Sequence, residues 1–320
     1  MRAIVLDGAV RFDPDYPEPR PREGEALIRP TLAGICDTDL QLARGYMGYR
    51  GVLGHEFVGV VESASGEGLA GKRVVGEINA ACRSCRLCER GLEEHCPNRT
   101  VLGILGRDGA FADFLVLPEE NLHIVPENVP DTQAVFTEPL AAAFEILRQA
   151  PPAPSDRVAV VGDGKLGMLI AQVLKTTGCD LSVIGRHAGR LDLLRNVGIT
   201  SASLERDVAD LSSEYDIVVD ATGSARGLAR AMEFVRPRGT VVLKTTVAQR
   251  EGFDMNKLVI DEITLVGSRC GPFEPALDAL AGGMVKVEPL VTDITPLSDG
   301  VRAMAMAEDA GALKILLSME

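Results

Sequence analysis

The sequence predicts an α/β protein made of a β-rich N-terminal unit and a doubly wound parallel sheet. Three observations carry this. Up to about residue 130, short apolar runs alternate with Gly and Pro, the punctuation of strands rather than helices. Beyond Pro126, helical stretches rich in Ala and Leu alternate with β-branched runs, the pattern of strands joined by crossover helices. At 320 residues the chain is long enough for two domains.

In the β-rich unit the expected strands lie at 3–6, 26–28, 57–61, 73–75 and 114–117. Between the second and third, the stretch from Gly34 to Glu56 collects a thiol (Cys36), an imidazole (His55) and a carboxylate (Glu56), with Thr38 and Asp39 just behind the thiol. These are the ligand types of tetrahedral zinc, and a catalytic site keeps one position open for water or substrate. Taken alone, such a pair also describes a buried free cysteine and a satisfied histidine. Further along, Cys82-x2-Cys85-x2-Cys88-x7-Cys96 brings four thiols close enough to close around one structural zinc. An iron–sulfur cluster uses the same four thiolates.

In the second part, Thr137-Glu138-Pro139-Leu140 opens a helix that the prolines at 151, 152 and 154 end. The β-branched run Arg157–Val161 leads directly into Gly162-Asp163-Gly164-Lys165-Leu166-Gly167 and a helical stretch. Strand, G-x-G-x-x-G, helix is the context of the dinucleotide fingerprint, in which glycines permit the tight turn and close approach of the pyrophosphate. The next strand, 181–184, ends in Gly185-Arg186-His187 rather than in an acid that would hold the ribose 2′-hydroxyl of NAD. A glycine leaves room for a 2′-phosphate and an arginine pairs with it, so NADP is favoured, with NAD as the other option. Strands expected at 216–220, 240–243 and 263–266 leave Thr222-Gly223 and Lys244-Thr245 at the crevice beyond strand ends. The tail carries helices near 274–281 and 299–307 and a strand at 313–317, expected to return to the first domain. The expected domains are 1–138, 139–270 and 271–320.

A net charge of −13 argues against a nucleic-acid partner. No apolar run approaches the ~20 residues of a membrane span, and Asp7 stands where the apolar core of a signal peptide would continue. The chain is therefore read as cytoplasmic, with no membrane partner, its seven cysteines as outside disulfides and the clustered ones as metal ligands.

Together these motifs resemble the zinc-dependent alcohol dehydrogenases of the medium-chain dehydrogenase/reductase family. The resemblance spans essentially the whole chain: a GroES-like catalytic domain, an inserted Rossmann domain and a C-terminal return. It implies that Cys36 and His55 bind catalytic zinc. Where other members supply a second cysteine this chain has Glu138, in the Glu-Pro-Leu setting of the polyol, sugar and threonine dehydrogenase branch, so Glu138, Glu56 or water completes the shell. It also implies that Thr38 hydrogen-bonds the substrate oxygen, that Asp39 orients the zinc-bound histidine, and that Lys314 approaches the cofactor pyrophosphate. Gln41 stands where a relay histidine often occurs. The implied reaction is hydride transfer between an alcohol, polyol or carbonyl and NAD(P), with zinc polarising the substrate oxygen in the cleft between the domains. Family habit implies a homodimer or homotetramer. The rival reading is an NADPH-binding sensor or scaffold on the same fold with little turnover, which predicts a degraded zinc site.

Overall fold

The computed structural model describes residues 1–208, 213–245 and 255–320. Its chain divides into two units, one made of Met1–Glu138 with Leu290–Glu320 and the other of Pro139–Pro289. The return to the first unit thus begins at Leu290 rather than at 271. The reason lies in packing. Helix Phe273–Ala281 buries Phe273, Ala276, Leu277 and Leu280, and the Gln172 amide holds the segment that follows it through both Lys286 N (2.7 Å) and Lys286 O (3.1 Å).

The first unit is built on a seven-stranded sheet with Glu25–Gly34 at its centre. Glu56–Ser63 runs antiparallel beside it, placing Glu56 opposite Gly34. On the other side the return strand Lys314–Ser318 puts Leu316 opposite Gly34 and pairs in parallel with Val291–Pro296, a strand the sequence pattern did not reveal. Register therefore brings the start of Glu56–Ser63, the end of Glu25–Gly34 and the start of the C-terminal strand to one place. A small three-stranded sheet, Asn79–Ala80, Thr100–Leu102 and Gly106–Arg107, supports the cysteine-rich lobe.

The second unit is a six-stranded parallel sheet. Arg157–Val161 lies inside it, with Asp180–Gly185 and then Ala202–Leu204 on one side, and Tyr215–Asp220, Val235–Leu243 and Thr264–Gly267 in turn on the other. Val158, Ala159, Val160, Val218 and Val241 are fully buried, which explains their unbroken apolar runs: both faces of a parallel sheet are covered. The order of strands reverses between Arg157–Val161 and Tyr215–Asp220, the switch point beyond which such sheets bind ligands. Among the described residues, no helix is long and apolar enough to cross a membrane.

Candidate functional site

The metal-type donors of the first unit are set by a buried carboxylate. Cys36 is the N-cap of helix Asp37–Ala43, and Asp39 in the first turn accepts from Cys36 N at 2.8 Å through Oδ2. Its Oδ1 accepts from Gly54 N at 3.3 Å and faces His55 Nδ1 at 3.2 Å. A carboxylate only accepts, so Nδ1 carries the proton and Nε2 keeps its lone pair for a ligand. Burial alone lowers the His55 pKa, but the Asp39 charge and hydrogen bond outweigh it and raise the value. One donor atom each from Cys36, His55 and Glu56 lies within 4.8 Å of the others, and Thr38 Oγ1 is 3.9 Å from Cys36 Sγ.

Glu56 is wholly buried. Its Oε2 pairs with Lys314 Nζ, while Oε1 has no hydrogen-bond partner. A buried oxygen without a hydrogen-bond partner beside a thiol and an imidazole nitrogen is a donor set for a divalent cation, so these residues fit a catalytic metal. Gly34 is required here because a Cβ would run into the Glu56 carboxylate. Glu138 sits half-buried in the first turn of helix Thr137–Gln149 and is not a member of the three-residue group.

Lys314 requires a correction. The expectation of a lysine at the cofactor pyrophosphate does not survive its placement: it is 1% exposed, ion-paired with Glu56, 3.4 Å from Ile35 O and 5.7 Å from the centroid of Phe136. The return strand turns this side chain inward, and a buried ammonium already neutralised by a carboxylate is not available to a phosphate.

The four-cysteine lobe also fits a metal. Sulfur separations are 3.4 Å for Cys82–Cys96, 3.5 Å for Cys85–Cys88 and 3.8 Å for Cys85–Cys96. Four sulfurs at about 2.3 Å from a tetrahedral zinc stand about 3.8 Å apart. Hydrogen bonds from the Ser84 backbone and the Asn98 amide push the Cys82 thiol down to about 5, whereas burial pushes Cys88 up to about 12. The second thiol therefore ionises when a cation draws the proton off.

In the second unit the glycine loop has the shape its motif requires. Gly162 has φ of +121°, and a Cβ there would strike the Ala221 carbonyl. A Cβ on Gly167 would strike the Gly162 carbonyl, whereas Gly164, the N-cap of helix Lys165–Lys175, faces open space. The helix N-terminus and that open approach fit a pyrophosphate. Lys165 and Leu166 form the first turn of this helix. Nearby, the buried Asp220 carboxylate accepts from Thr222 N (3.0 Å), Thr222 Oγ1 (2.8 Å) and Thr245 Oγ1 (3.1 Å), and Gly223 N donates to Thr245 Oγ1 (3.1 Å). Burial raises the Asp220 pKa. Lys244, expected at the crevice, is instead buried and donates to Ala142 O, Ser268 Oγ and Arg269 O.

The end of the second strand differs from its sequence reading. Asp163, the residue between the first two glycines, is buried and accepts from Arg186 N (2.9 Å) and His187 N (2.6 Å), with His187 Nδ1 at 3.1 Å. A Cβ on Gly185 would lie 2.6 Å from Asp163 Cβ, so this glycine is small to admit Asp163. The Arg186 guanidinium is engaged by Glu205, which also holds Arg230. Sequence reasoning missed Asp163, Glu205, Arg230 and Asp220; only Asp163 carried a signal, its place inside the glycine motif.

Comparison with known proteins identifies both domains. Residues 22–127 match the alcohol dehydrogenase GroES-like domain and 166–282 the zinc-binding dehydrogenase domain. A sorbitol dehydrogenase of Halalkalibacterium halodurans is 31% identical over 325 residues, covering 95% of this chain and 94% of the relative. An alcohol dehydrogenase of Escherichia coli CFT073, crystallised with NADH, superposes with a TM-score of 0.89 at 28% identity over 100% of this chain and 99% of the other. A zinc-binding dehydrogenase of Sinorhizobium meliloti, bound to NADP, gives 0.88 at 25% identity over 99% and 98%.

Proposed function

The chain belongs to the zinc-dependent medium-chain dehydrogenase/reductase family, and from that premise we propose that it interconverts an alcohol of the polyol or sugar class and its carbonyl with NAD(P). The observation that carries this is the undegraded metal constellation: Cys36, His55 and Glu56 converge, with Glu56 Oε1 buried and unmet. A sensor on this fold has no need to keep it. The similarity to a sorbitol dehydrogenase and the Glu138-Pro139-Leu140 setting support the polyol class.

Bound zinc supplies a Lewis acid for the substrate oxygen, and bound nicotinamide supplies the hydride acceptor or donor. The chain's own residues do the rest. Cys36 and His55 hold the metal, Asp39 fixes the imidazole, and Lys314 pins one oxygen of Glu56 so that only the other is offered. Glu138 or water completes the shell. Thr38 takes the substrate proton outward; Gln41, an amide, does not relay it, so it leaves through water or the ribose. Cys82, Cys85, Cys88 and Cys96 hold a structural zinc. Gly162, Gly164, Lys165, Leu166 and Gly167 receive the pyrophosphate, Gly185, Arg186 and His187 the adenosine ribose, and Thr222 and Gly223 the nicotinamide side.

The enzyme is assigned to the cytoplasm and to a homodimer or homotetramer. The edge strand Thr264–Gly267 follows directly on helix Met255–Ile260, whose Val259 and Ile260 are 70% and 77% exposed, and an unpaired edge with exposed apolar side chains is suited to a second copy. Light scattering on wild type and Ile260→Asp tests this: a shift to smaller mass supports it, and a monomeric wild type removes it.

The decisive experiment measures initial rates of nicotinamide reduction across alcohols, polyols, sugars and threonine, with NAD and NADP in parallel. Turnover on polyols, abolished by Cys36→Ala while nucleotide binding persists, is the expected result. Silence across the panel, with zinc and nucleotide both bound, moves the assignment to the sensor reading.

A further inference from the structure

The adenosine end of the nucleotide site is controlled from a place the fingerprint does not reach. Strand Ala202–Leu204 delivers Glu205 beside the end of Asp180–Gly185. Glu205 Oε2 accepts from Arg186 Nε at 2.8 Å and Oε1 from Arg230 Nε at 3.0 Å, so one carboxylate bridges two guanidinium groups. Arg230 comes from helix Gly227–Phe234 and is steadied from two further sides: its guanidinium lies 4.4 Å over the Phe234 ring and also pairs with Glu233. Gly185, Arg186, Leu204, Glu205, Arg206 and Arg230 line an open cleft of ≈ 470 Å³. Its walls thus carry three cationic side chains and a single acid, and that acid sits between two of the three.

This arrangement bears on the 2′ position of a dinucleotide, which lies at the end of the second strand. A 2′-phosphate brings close to two negative charges and seeks guanidinium groups. Here both guanidinium groups already share a carboxylate, so a phosphate that gains their attraction also meets the repulsion of Glu205. A 2′-hydroxyl meets neither in full. The backbone donors that follow the strand are no help to a phosphate, because Asp163 already accepts from Arg186 N and His187 N.

We propose that Glu205 is the residue that sets the preference between NADH and NADPH, by cancelling the charge that Arg186 and Arg230 would offer a 2′-phosphate. The sequence reading from Gly185 and Arg186 alone, which favours NADP, counted the attraction and had no view of the acid opposing it.

The inference rests on the nucleotide-binding role assigned to this unit. Calorimetric titration of the zinc-loaded protein with NADH and with NADPH, at low and at physiological salt, separates the two. Glu205→Gln keeps a hydrogen-bonding side chain of the same shape and removes the charge. It is expected to raise the NADPH:NADH affinity ratio by about tenfold, the size of one charge-assisted hydrogen bond, with a steeper loss on adding salt. Arg186→Met, in which Glu205 keeps only Arg230, is expected to lower the same ratio. Circular dichroism and melting verify that both variants are folded. An unchanged ratio in Glu205→Gln, or an unfolded Glu205→Gln together with an unchanged ratio in Arg186→Met, overturns the proposal. Wild-type protein that binds neither nucleotide overturns the nucleotide-binding role itself, and the proposal with it.

Discussion

Replacing Lys314 with Met tests how the metal constellation is held. Lys314 and Glu56 form an ion pair whose side chains are 1% and 0% exposed. Methionine preserves most of the apolar stem and removes the ammonium. The Glu56 carboxylate then has no partner on Oε2 and none on Oε1. Breaking a buried pair from one side costs about 3–5 kcal/mol, because the remaining charge is desolvated without compensation. Loss of the cation over Phe136 adds roughly 0.5–1 kcal/mol at the observed 5.7 Å. For a domain of this size each kcal/mol lowers Tm by roughly 2–4 °C, so Lys314→Met should melt roughly 7–24 °C below wild type. Glu56→Gln strands the ammonium instead and should cost a similar amount. The double variant removes both charges and should recover most of the loss, since replacing a whole buried pair by neutral groups is often close to neutral. Bound zinc should narrow the Lys314→Met deficit, because a divalent cation is the other charge that Glu56 faces. The assay is urea and thermal unfolding of all four proteins, with and without added zinc. A Lys314→Met protein melting within about 2 °C of wild type, or a double variant as unstable as the sum of the singles, refutes the reasoning.

Three further outcomes follow from the same geometry. Asp39→Asn weakens the hold on the His55 tautomer and should lower zinc affinity at Cys36 and His55 by about 10–100-fold while the four-cysteine site keeps its metal, read by chelator competition with zinc counted per chain. Gly162→Ala forces a Cβ into the Ala221 carbonyl at φ of +121° and should destabilise the second unit by about 1–3 kcal/mol and abolish NADH binding in titration. Glu205 is held below the usual carboxylate range, first by its hydrogen bond from Arg186, so its stabilisation is present above that range and lost as pH falls through its folded value. Between about pH 5 and pH 3 the wild-type Tm should therefore fall more steeply than that of Glu205→Gln; parallel curves would contradict this.

Much of the fold was legible because its signals are local. The strand at Arg157–Val161, the glycine loop and the helix Lys165–Lys175 are contiguous, and Gly167 has a steric reason within the motif's own turn, the Gly162 carbonyl. The four cysteines announce themselves by spacing, and Cys36 and His55 by residue type. The strands Ala202–Leu204 and Val291–Pro296 were not legible. The first is three residues long, and the second has its exposed and partly buried positions broken by a single buried one, Thr295, with an aspartate in its middle and a proline at its end. The domain return was placed too early because helix Phe273–Ala281 has the same apolar pattern whichever unit it packs on.

Sequence by itself determined which chemical groups this protein owns and, where they lie within one turn or one loop, how they meet: the dinucleotide loop, the thiol cluster, the Cys36–Asp39 cap. Tertiary structure alone decided which charges cancel. Lys314 reaches Glu56 across 258 residues, and Glu205 stands 19 residues from Arg186 and 25 from Arg230. Ionic interactions depend on distance and burial in space, and residue type constrains neither. A lysine that reads as a phosphate ligand thus became the counter-ion of a metal-site carboxylate, and an arginine that reads as a 2′-phosphate ligand came to be shared with an acid.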